Sequence, residues 1–172
     1  MLIGLSSGTL QGLESLFIYL LIYVVSSVNI WTVVLSLKDN NGYNRYITDL
    51  SSLGEKNPIL AITLTLCLFS MAGVPPLAGF YAKFYIFFSA IESSIYILAF
   101  VGVITSVIGS FYYIRLIKIM YFEKPKVWRV FDKIDYTKSV ILGLTFLFIL
   151  CFFVYPVPLY LLAHKLALTL VI

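Results

Sequence analysis

Four long apolar stretches, separated by polar segments, dominate the chain. They run from about Gly12 to Leu37, from Pro58 to Ser93, from Ile95 to Tyr121 and from Val140 to Leu162. Each is longer than the roughly 20 residues that a helix needs to cross about 30 Å of hydrocarbon. Because lipid cannot pair backbone polar groups, such stretches predict transmembrane helices. Residues 1–5 are apolar but too short to span, and they predict the tail of a fifth helix.

The second stretch is too long for one straight span and too short for two. As a single helix its residues would extend about 54 Å. The run Gly73-Val74-Pro75-Pro76 lies near its centre. Two consecutive prolines remove two hydrogen-bond donors and clash with the preceding helical turn. We therefore predict one crossing made of two half-helices, discontinuous near residues 73–77, with a tight helical hairpin as the alternative.

Two polar segments and two prolines complete the pattern. Residues 38–57 are polar, and the mild amphipathicity from Tyr43 to Leu53 predicts a short helix at the membrane surface. Residues 122–139 form the longest charged loop. Pro156 and Pro158 are expected to loosen the last turns of the fourth span.

The composition supports a membrane protein. The chain of 172 residues is 61% hydrophobic and 12% charged, about half the charge of a soluble domain. The prediction is an all-α polytopic transmembrane bundle, with residues 1–172 as a single membrane domain. Cys67 and Cys151 lie in apolar stretches and are interpreted as core residues. The sequence has no metal-ligand spacing and no nucleotide-binding motif, so we expect neither a metal nor a cofactor in this chain.

The distribution of basic residues predicts the orientation. Four spans place the loops 38–57 and 122–139 on one face. That face carries ten of the twelve basic residues, namely Lys38, Arg45, Lys56, Arg115, Lys118, Lys124, Lys126, Arg129, Lys133 and Lys138. The other face carries only Lys165. The lysine-rich face is expected on the cytoplasmic or matrix side, and this asymmetry explains the net charge of +4 without a nucleic-acid partner.

Lys83 is the remaining basic residue, and it lies deep in the second stretch. An ammonium in hydrocarbon is costly, so an intramembrane lysine indicates a functional site. It lies ten residues before Ser93, about 15 Å along a helix, whereas its side chain reaches only roughly 6 Å. We predict that Lys83 relays protons beside a helix break formed by Gly73, Pro75, Pro76 and Gly79. A structural lysine paired with a buried acid is the alternative.

Polar groups that could serve Lys83 are sparse. The hydroxyls of Ser70, Tyr81, Thr105 and Ser106 are candidates for a proton path, although such hydroxyls also bond ordinarily to the preceding turn. Glu14 and Glu92 lie at span ends, and His164 is expected at the interface. The partner of Lys83, whether carboxylate, water chain or carbonyl, is therefore expected from outside this chain.

Three segments of the sequence resemble a known family. Residues 57–61, 69–85 and 103–116, with the pattern Gly-Xaa-Pro-Pro-Leu-Xaa-Gly-Phe-Xaa-Xaa-Lys from Gly73 to Lys83, resemble the NADH dehydrogenase subunit 2 family of mitochondrial respiratory complex I. The plant and protist members look most similar. These are antiporter-like subunits of the proton-pumping membrane arm, and the resemblance covers essentially the whole chain.

The resemblance implies a role and partners. The chain would match the C-terminal part, about helices 10–14, of a fourteen-helix fold, with Lys83 on the discontinuous twelfth helix. The acidic residue and two lysines of the family's earlier helices are absent here. The N-terminal part is therefore expected on a separate chain, beside other membrane-arm subunits and membrane lipid.

The resemblance also implies an enzyme complex and a location. The complex passes electrons from NADH to ubiquinone and pumps protons, with FMN, iron–sulfur clusters and ubiquinone on other subunits and no redox chemistry in this chain. Its place would be the mitochondrial inner membrane, with the loops 38–57 and 122–139 in the matrix. A related cation/proton antiporter and a non-catalytic membrane scaffold are the alternatives.

Overall fold

The chain folds into a bundle of helices. The structure, a computed structural model, describes residues 1–39, 42–43, 47–123 and 134–171. The elements in chain order are α1 (Leu2–Ser6), α2 (Leu10–Ser36), β1 (Lys38–Asp39), β2 (Gly42–Tyr43), a 3₁₀ helix (Ile47–Ser52), α3 (Leu53–Lys56), α4 (Pro58–Ala72), α5 (Ala78–Glu92), α6 (Tyr96–Phe122), α7 (Tyr136–Val154) and α8 (Val157–Val171). The predicted all-α membrane bundle is confirmed.

Helices α2 and α6 correspond to the first and third predicted spans. Each has 27 residues. Within the described ranges these two helices are long and apolar enough to cross a membrane, and the bent pair α7–α8 meets the same test when taken together. The Thr9 hydroxyl accepts the amide hydrogen of Gly12 and caps the start of α2. Pro58 begins α4, where a missing donor costs nothing.

The second stretch forms one broken crossing. Helix α4 ends at Ala72 and α5 begins at Ala78. The helix that packs against α2 changes along its length. The second half of α2 lies beside α4, and the start of α2 lies beside α5. Cys67 Sγ lies 3.8 Å from the Ser26 carbonyl, and Ser89 Oγ lies 3.3 Å from Ser15 Oγ. Both half-helices therefore run antiparallel to α2 in succession, so the predicted discontinuity is confirmed and the hairpin alternative is wrong.

Helix α6 follows the same two half-helices from the other side. The hydroxyls of Tyr121 and Thr65 lie 3.4 Å apart, and Ser110 Oγ donates to the Ala72 carbonyl at 2.9 Å. The end of α6 thus lies beside α4, while its middle lies beside the break. The end of α4 at the break therefore lies between α2 and α6, whereas Val74, Pro75 and Pro76 are exposed in the described chain.

The predicted surface helix over residues 43–53 is displaced. Tyr43 lies in β2, which pairs with β1 in an antiparallel ladder, and residues 44–46 lie outside the described ranges. The helical turns begin at Ile47 and continue to Lys56. Leu53 is completely buried in a core that includes Met120. Packing against the ends of α4 and α6 therefore determines where these turns begin and end.

The fourth predicted span is not continuous. Helix α7 ends at Val154, and α8 begins at Val157 at an angle of 90° to it. Pro156 removes a donor and disfavours the helical conformation at Tyr155, which is observed outside the helical region at φ −143° and ψ 81°. Pro158 then occupies the first turn of α8, where proline is tolerated. The expectation of merely loosened turns was wrong, because the two prolines end one helix and begin another.

The two cysteines differ in environment. Cys67 is buried in the core between α2 and α4, as expected. Cys151 is exposed on α7, so its interpretation as a core residue was wrong for the chain taken alone. Both are free thiols, and the described residues contain no cluster of His, Cys, Asp and Glu that could hold a metal.

Candidate functional site

The helix break begins with a left-handed glycine. Gly73 ends α4 at φ 90° and ψ 39°, a conformation that other residues adopt at a cost. Its amide hydrogen bonds to the carbonyls of Phe69 and Ser70, and the amide of Val74 bonds to that of Phe69. These bonds close the last turn of α4 and redirect the chain into the two prolines.

Pro76 leaves one carbonyl without its helical donor. In an α-helix the Ala72 carbonyl would accept from the amide four residues later, but that residue is Pro76. Two side chains take its place. Lys83 Nζ donates to the Ala72 oxygen at 3.0 Å, and Ser110 Oγ lies 2.9 Å from it as a second donor. The single hydroxyl hydrogen of Ser110 is shared between the Ala72 carbonyl and the Ser106 carbonyl, which is 2.8 Å away. The expectation that the partner of Lys83 comes from outside this chain was wrong, because the break itself supplies a carbonyl.

Gly79 allows the two half-helices to touch. Its amide donates to Ser70 Oγ at 3.0 Å, which joins the first turn of α5 to the last turn of α4. A Cβ atom on Gly79 would lie 1.8 Å from the Ser70 carbonyl oxygen. No side chain fits there, so the contact depends on glycine at this position.

A cavity of about 290 Å³ opens beside Lys83. Polar side chains from three helices line it together with apolar residues of α1, α4 and α5. The polar members are Tyr19, Tyr23, Lys83, Thr105, Ser106 and Tyr113. None of the described residues that line the cavity is acidic. The Thr105 and Ser106 hydroxyls donate within their own helix, to carbonyls between Val101 and Val103, which leaves their lone pairs free to accept.

A second, smaller cavity of about 20 Å³ lies next to the break, lined by Ser26, Ser70 and Lys83 among others. Ser26 is 1% exposed, and its hydroxyl oxygen has no hydrogen-bond partner in the described part of the chain. A cavity of at least about 10–15 Å³ with several polar partners can hold a water molecule. One water would satisfy Ser26 and connect it to the lysine.

The structure brings most of the predicted path residues to Lys83. Ser70 lines the small cavity, and Thr105 and Ser106 line the large one. Tyr81 does not join them, because it lines a separate cavity of about 220 Å³ on another face of α5. Two residues successive in a helix are turned by about 100°, so Tyr81 points roughly 200° away from Lys83.

Sequence reasoning missed Ser26 and Ser110 as neighbours of the lysine. Their hydroxyls resemble any other hydroxyl in a membrane helix. The usable signal was the spacing of four residues from Met71 to Pro75 and from Ala72 to Pro76, which identifies two carbonyls that lack a helical donor. The three-dimensional packing of α6 then decides which hydroxyl supplies it.

Replacing Ser70 by Ala is expected to destabilise the break. It leaves the Gly79 amide unpaired in a buried position, which costs about 1–3 kcal/mol. The measurement is the temperature at which the chain leaves its native membrane assembly. Ser27→Ala is the matched control, since its hydroxyl is exposed and bonds only within α2. Equal behaviour of the two variants would contradict the expectation.

Comparison with known proteins identifies relatives of this chain. NADH-ubiquinone oxidoreductase chain 2 of Marchantia polymorpha is 52% identical over 99% of this chain and 34% of its own length. The protein of the same name from Arabidopsis thaliana is 48% identical over 98% of this chain and 33% of its own length. NADH-quinone oxidoreductase subunit N of the bacterium Parvibaculum lavamentivorans is 42% identical, with coverages of 92% and 32%.

The chain spans about a third of the length of these curated relatives. A chain in a solved structure of respiratory complex I from Thermus thermophilus with bound NADH matches the fold, with a TM-score of 0.75 at 23% identity over 96% of this chain and 35% of that chain. Residues 1–109 match the family described as NADH:quinone oxidoreductase/Mrp antiporter, transmembrane. Since that match covers more than half of the chain, the protein belongs to the NADH:quinone oxidoreductase/Mrp antiporter transmembrane family.

Proposed function

We propose that this chain is the C-terminal part of an antiporter-like subunit of NADH:ubiquinone oxidoreductase, in which Lys83 relays protons across the membrane. The names of the relatives support the complex, and family membership supports the antiporter-like role. The complex would oxidise NADH and reduce ubiquinone. FMN, iron–sulfur clusters and ubiquinone would reside on other subunits, while this chain would contribute to the coupled proton transfer.

The observation that carries the proposal is the bond between Lys83 and the Ala72 carbonyl. The same carbonyl accepts from Ser110, which is one residue past the midpoint of α6. A helix of this length crosses the hydrocarbon, so its midpoint lies near the centre of the membrane. The ammonium therefore points back toward the break and the membrane centre rather than toward the headgroups.

The surroundings of Lys83 suit a group that gains and loses a proton. A carbonyl dipole and polar side chains can hold an ammonium, but no described cavity-lining residue offers a carboxylate to fix the charge permanently. Charge movement in a neighbouring subunit would then be enough to shift the lysine between its charged and neutral forms. Waters in the two cavities, bound by Ser26, Thr105 and Ser106, would carry the proton to and from the amine.

The proposal includes the setting of the chain. The lysine-rich loops 38–57 and 122–139 would face the matrix, and the membrane would be the mitochondrial inner membrane, as the plant-type relatives suggest. The N-terminal part of the subunit, on a separate chain, would cover the faces of α6 that this chain leaves exposed. Its carboxylate and lysines would complete the proton route.

Purification through an affinity tag on this chain in its native membrane tests the assignment. We expect a complex that reduces ubiquinone with NADH and acidifies or alkalises vesicles in step with that reaction. An Mrp-type antiporter would instead exchange a cation for protons without NADH. Recovery of such an exchanger, with no NADH oxidation, would overturn the proposal.

A further inference from the structure

A buried carboxylate on α2 is paired with an imidazole on α8. Glu14 is 4% exposed, and its Oε1 atom lies 2.6 Å from Nδ1 of His164. The side chain of His164 is 43% exposed, so one member of the pair reaches the surface of the described chain. The sequence had indicated two unrelated residues, an acid at a span end and a histidine at the interface.

The right-angled turn before α8 creates this pair. It directs α8 across the first half of α2, where Leu159, Ala163 and Ala167 are buried. The two alanines allow a close approach of the helices, which brings His164 to Glu14. A straight continuation of α7 would have carried the histidine away from α2.

Glu14 and His164 form a dyad, and further polar groups surround it. The Tyr160 phenol interacts with Glu14, and its ring stacks on that of His164 with centroids 6.5 Å apart. Glu14, Tyr160, Tyr85 and Glu92 line a cavity of about 70 Å³, together with Gln11, Ser15 and Ser89. That volume is several times the roughly 10–15 Å³ that one water needs, so the cavity can hold water.

The titratable groups that face the dyad are few. They are Tyr160 on α8 and Tyr85 and Glu92 on α5, with Lys165 next to His164 in sequence. Helix α1 has no titratable side chain, and the second half of α7 has only the exposed Cys151. Helix α4 packs against the other half of α2. Lys165 is exposed and does not line the cavity of the dyad, so among the described residues His164 is the cation that can neutralise Glu14.

An apolar layer separates the dyad from Lys83. Ile18 lines the cavity of the dyad, whereas Ile22 and Ile86 line the cavities of the lysine. Each of the three is 3% exposed. Lys83 and Ser89 are six residues apart on α5, about 9 Å along the helix. The two polar sites are thus near each other but divided by side chains that exclude water.

We infer that the dyad is a second proton-binding site, which exchanges with the solution on the lysine-poor face. One proton lies between two bases. When it moves from Glu14 Oε1 to His164 Nδ1, the acid becomes a carboxylate and the imidazole becomes an imidazolium, and no other bond changes. This inference rests on the proposed function, because its proton would come from or go to Lys83 across the isoleucine layer.

Glu14→Gln and His164→Asn in the native complex test the inference. Both variants keep the size of the side chain and a polar group but remove the shared proton. We expect an assembled complex in which proton pumping coupled to NADH oxidation falls about tenfold. The effect is smaller than the usual loss of a transferring group, because a lone base remains in each variant. Lys165→Gln, the matched control, alters the neighbouring charge and leaves pumping unchanged.

Infrared spectroscopy detects protonation of a carboxyl group directly. It therefore separates a proton-binding role of Glu14 from a purely structural one. We expect a carboxylic C=O stretch that titrates with pH in the unaltered complex and disappears in Glu14→Gln. If Glu14→Gln does not assemble, a displaced midpoint of the same titration in His164→Asn decides, because Glu14 then holds its proton without the imidazole. Full pumping in either variant, or no titrating C=O stretch, would overturn the inference. These measurements are independent of Lys83, so normal pumping after a Lys83 substitution would instead refute the proposed function.

Discussion

Replacing Lys83 by Met is expected to abolish proton transfer through this subunit in an otherwise assembled complex. Methionine matches the length of the lysine stem but cannot carry a proton. A group that transfers a proton directly contributes at least about a hundredfold to its step, so flux along this route should fall by that factor. The measurement is the number of protons moved for each NADH oxidised by vesicles that contain the purified complex.

The fold is expected to tolerate Lys83→Met. The Ala72 carbonyl loses the lysine donor but keeps the Ser110 hydroxyl within 2.9 Å, and the hydrogen that Ser110 shares with the Ser106 carbonyl can turn to it. A carbonyl with one good donor left does not incur the penalty of a buried unsatisfied group. We therefore expect normal amounts of assembled complex, as judged by its mobility on native gels.

Lys83→Arg separates the relay from a structural role. Arginine can donate to the Ala72 carbonyl but stays charged under all relevant conditions. A relay requires loss of the proton, so pumping should fail in Lys83→Arg as it does in Lys83→Met. An unchanged ratio of protons to electrons in either variant would instead favour the scaffold alternative.

The sequence predicted the break and the lysine because both depend on local chemistry. Two prolines after Gly73 interrupt a helix whatever packs around them, and the position of Lys83 within a long apolar stretch predicts that its side chain does not reach the headgroups. The broken crossing was predictable from the two prolines and from the length of its apolar stretch. The approximate bounds of α2 and α6 were predictable because the length of an apolar stretch determines them.

Contacts between distant segments were not predictable. The bond of Ser110 to Ala72 joins residues 38 positions apart, and nothing in the sequence distinguishes Ser110 from other hydroxyls of α6. The same is true of Glu14 and His164, which are 150 positions apart. That pair forms because α7 and α8 meet at 90° near Pro156, and hydrophobic periodicity does not predict the angle between two helices. Tyr81 stays a prediction as a member of the proton path, although it lines a different cavity from Lys83.

Gly79→Ala is the second substitution for which we expect a large effect, in this case on folding. The added Cβ would lie 1.8 Å from the Ser70 carbonyl oxygen, which is backbone and cannot rotate away. The first turn of α5 must then move off α4, and the bond from the Gly79 amide to Ser70 Oγ is lost as well. Overpacking of this kind costs about 1–3 kcal/mol, and the lost buried bond adds about 1–3 kcal/mol.

This combined cost approaches the stability margin of a small domain, so little assembled complex should remain in membranes that express Gly79→Ala. Gly143→Ala is the control, because a Cβ atom at Gly143 meets nothing within 4 Å in the described chain. Alanine also favours a helix over glycine by about 1 kcal/mol, so the control should assemble at least as well as the native chain. Equal amounts of complex in the two variants would contradict the close contact of the half-helices. The Lys83 site depends on that contact, because the lysine of α5 reaches the Ala72 carbonyl of α4 only while the two ends stay together.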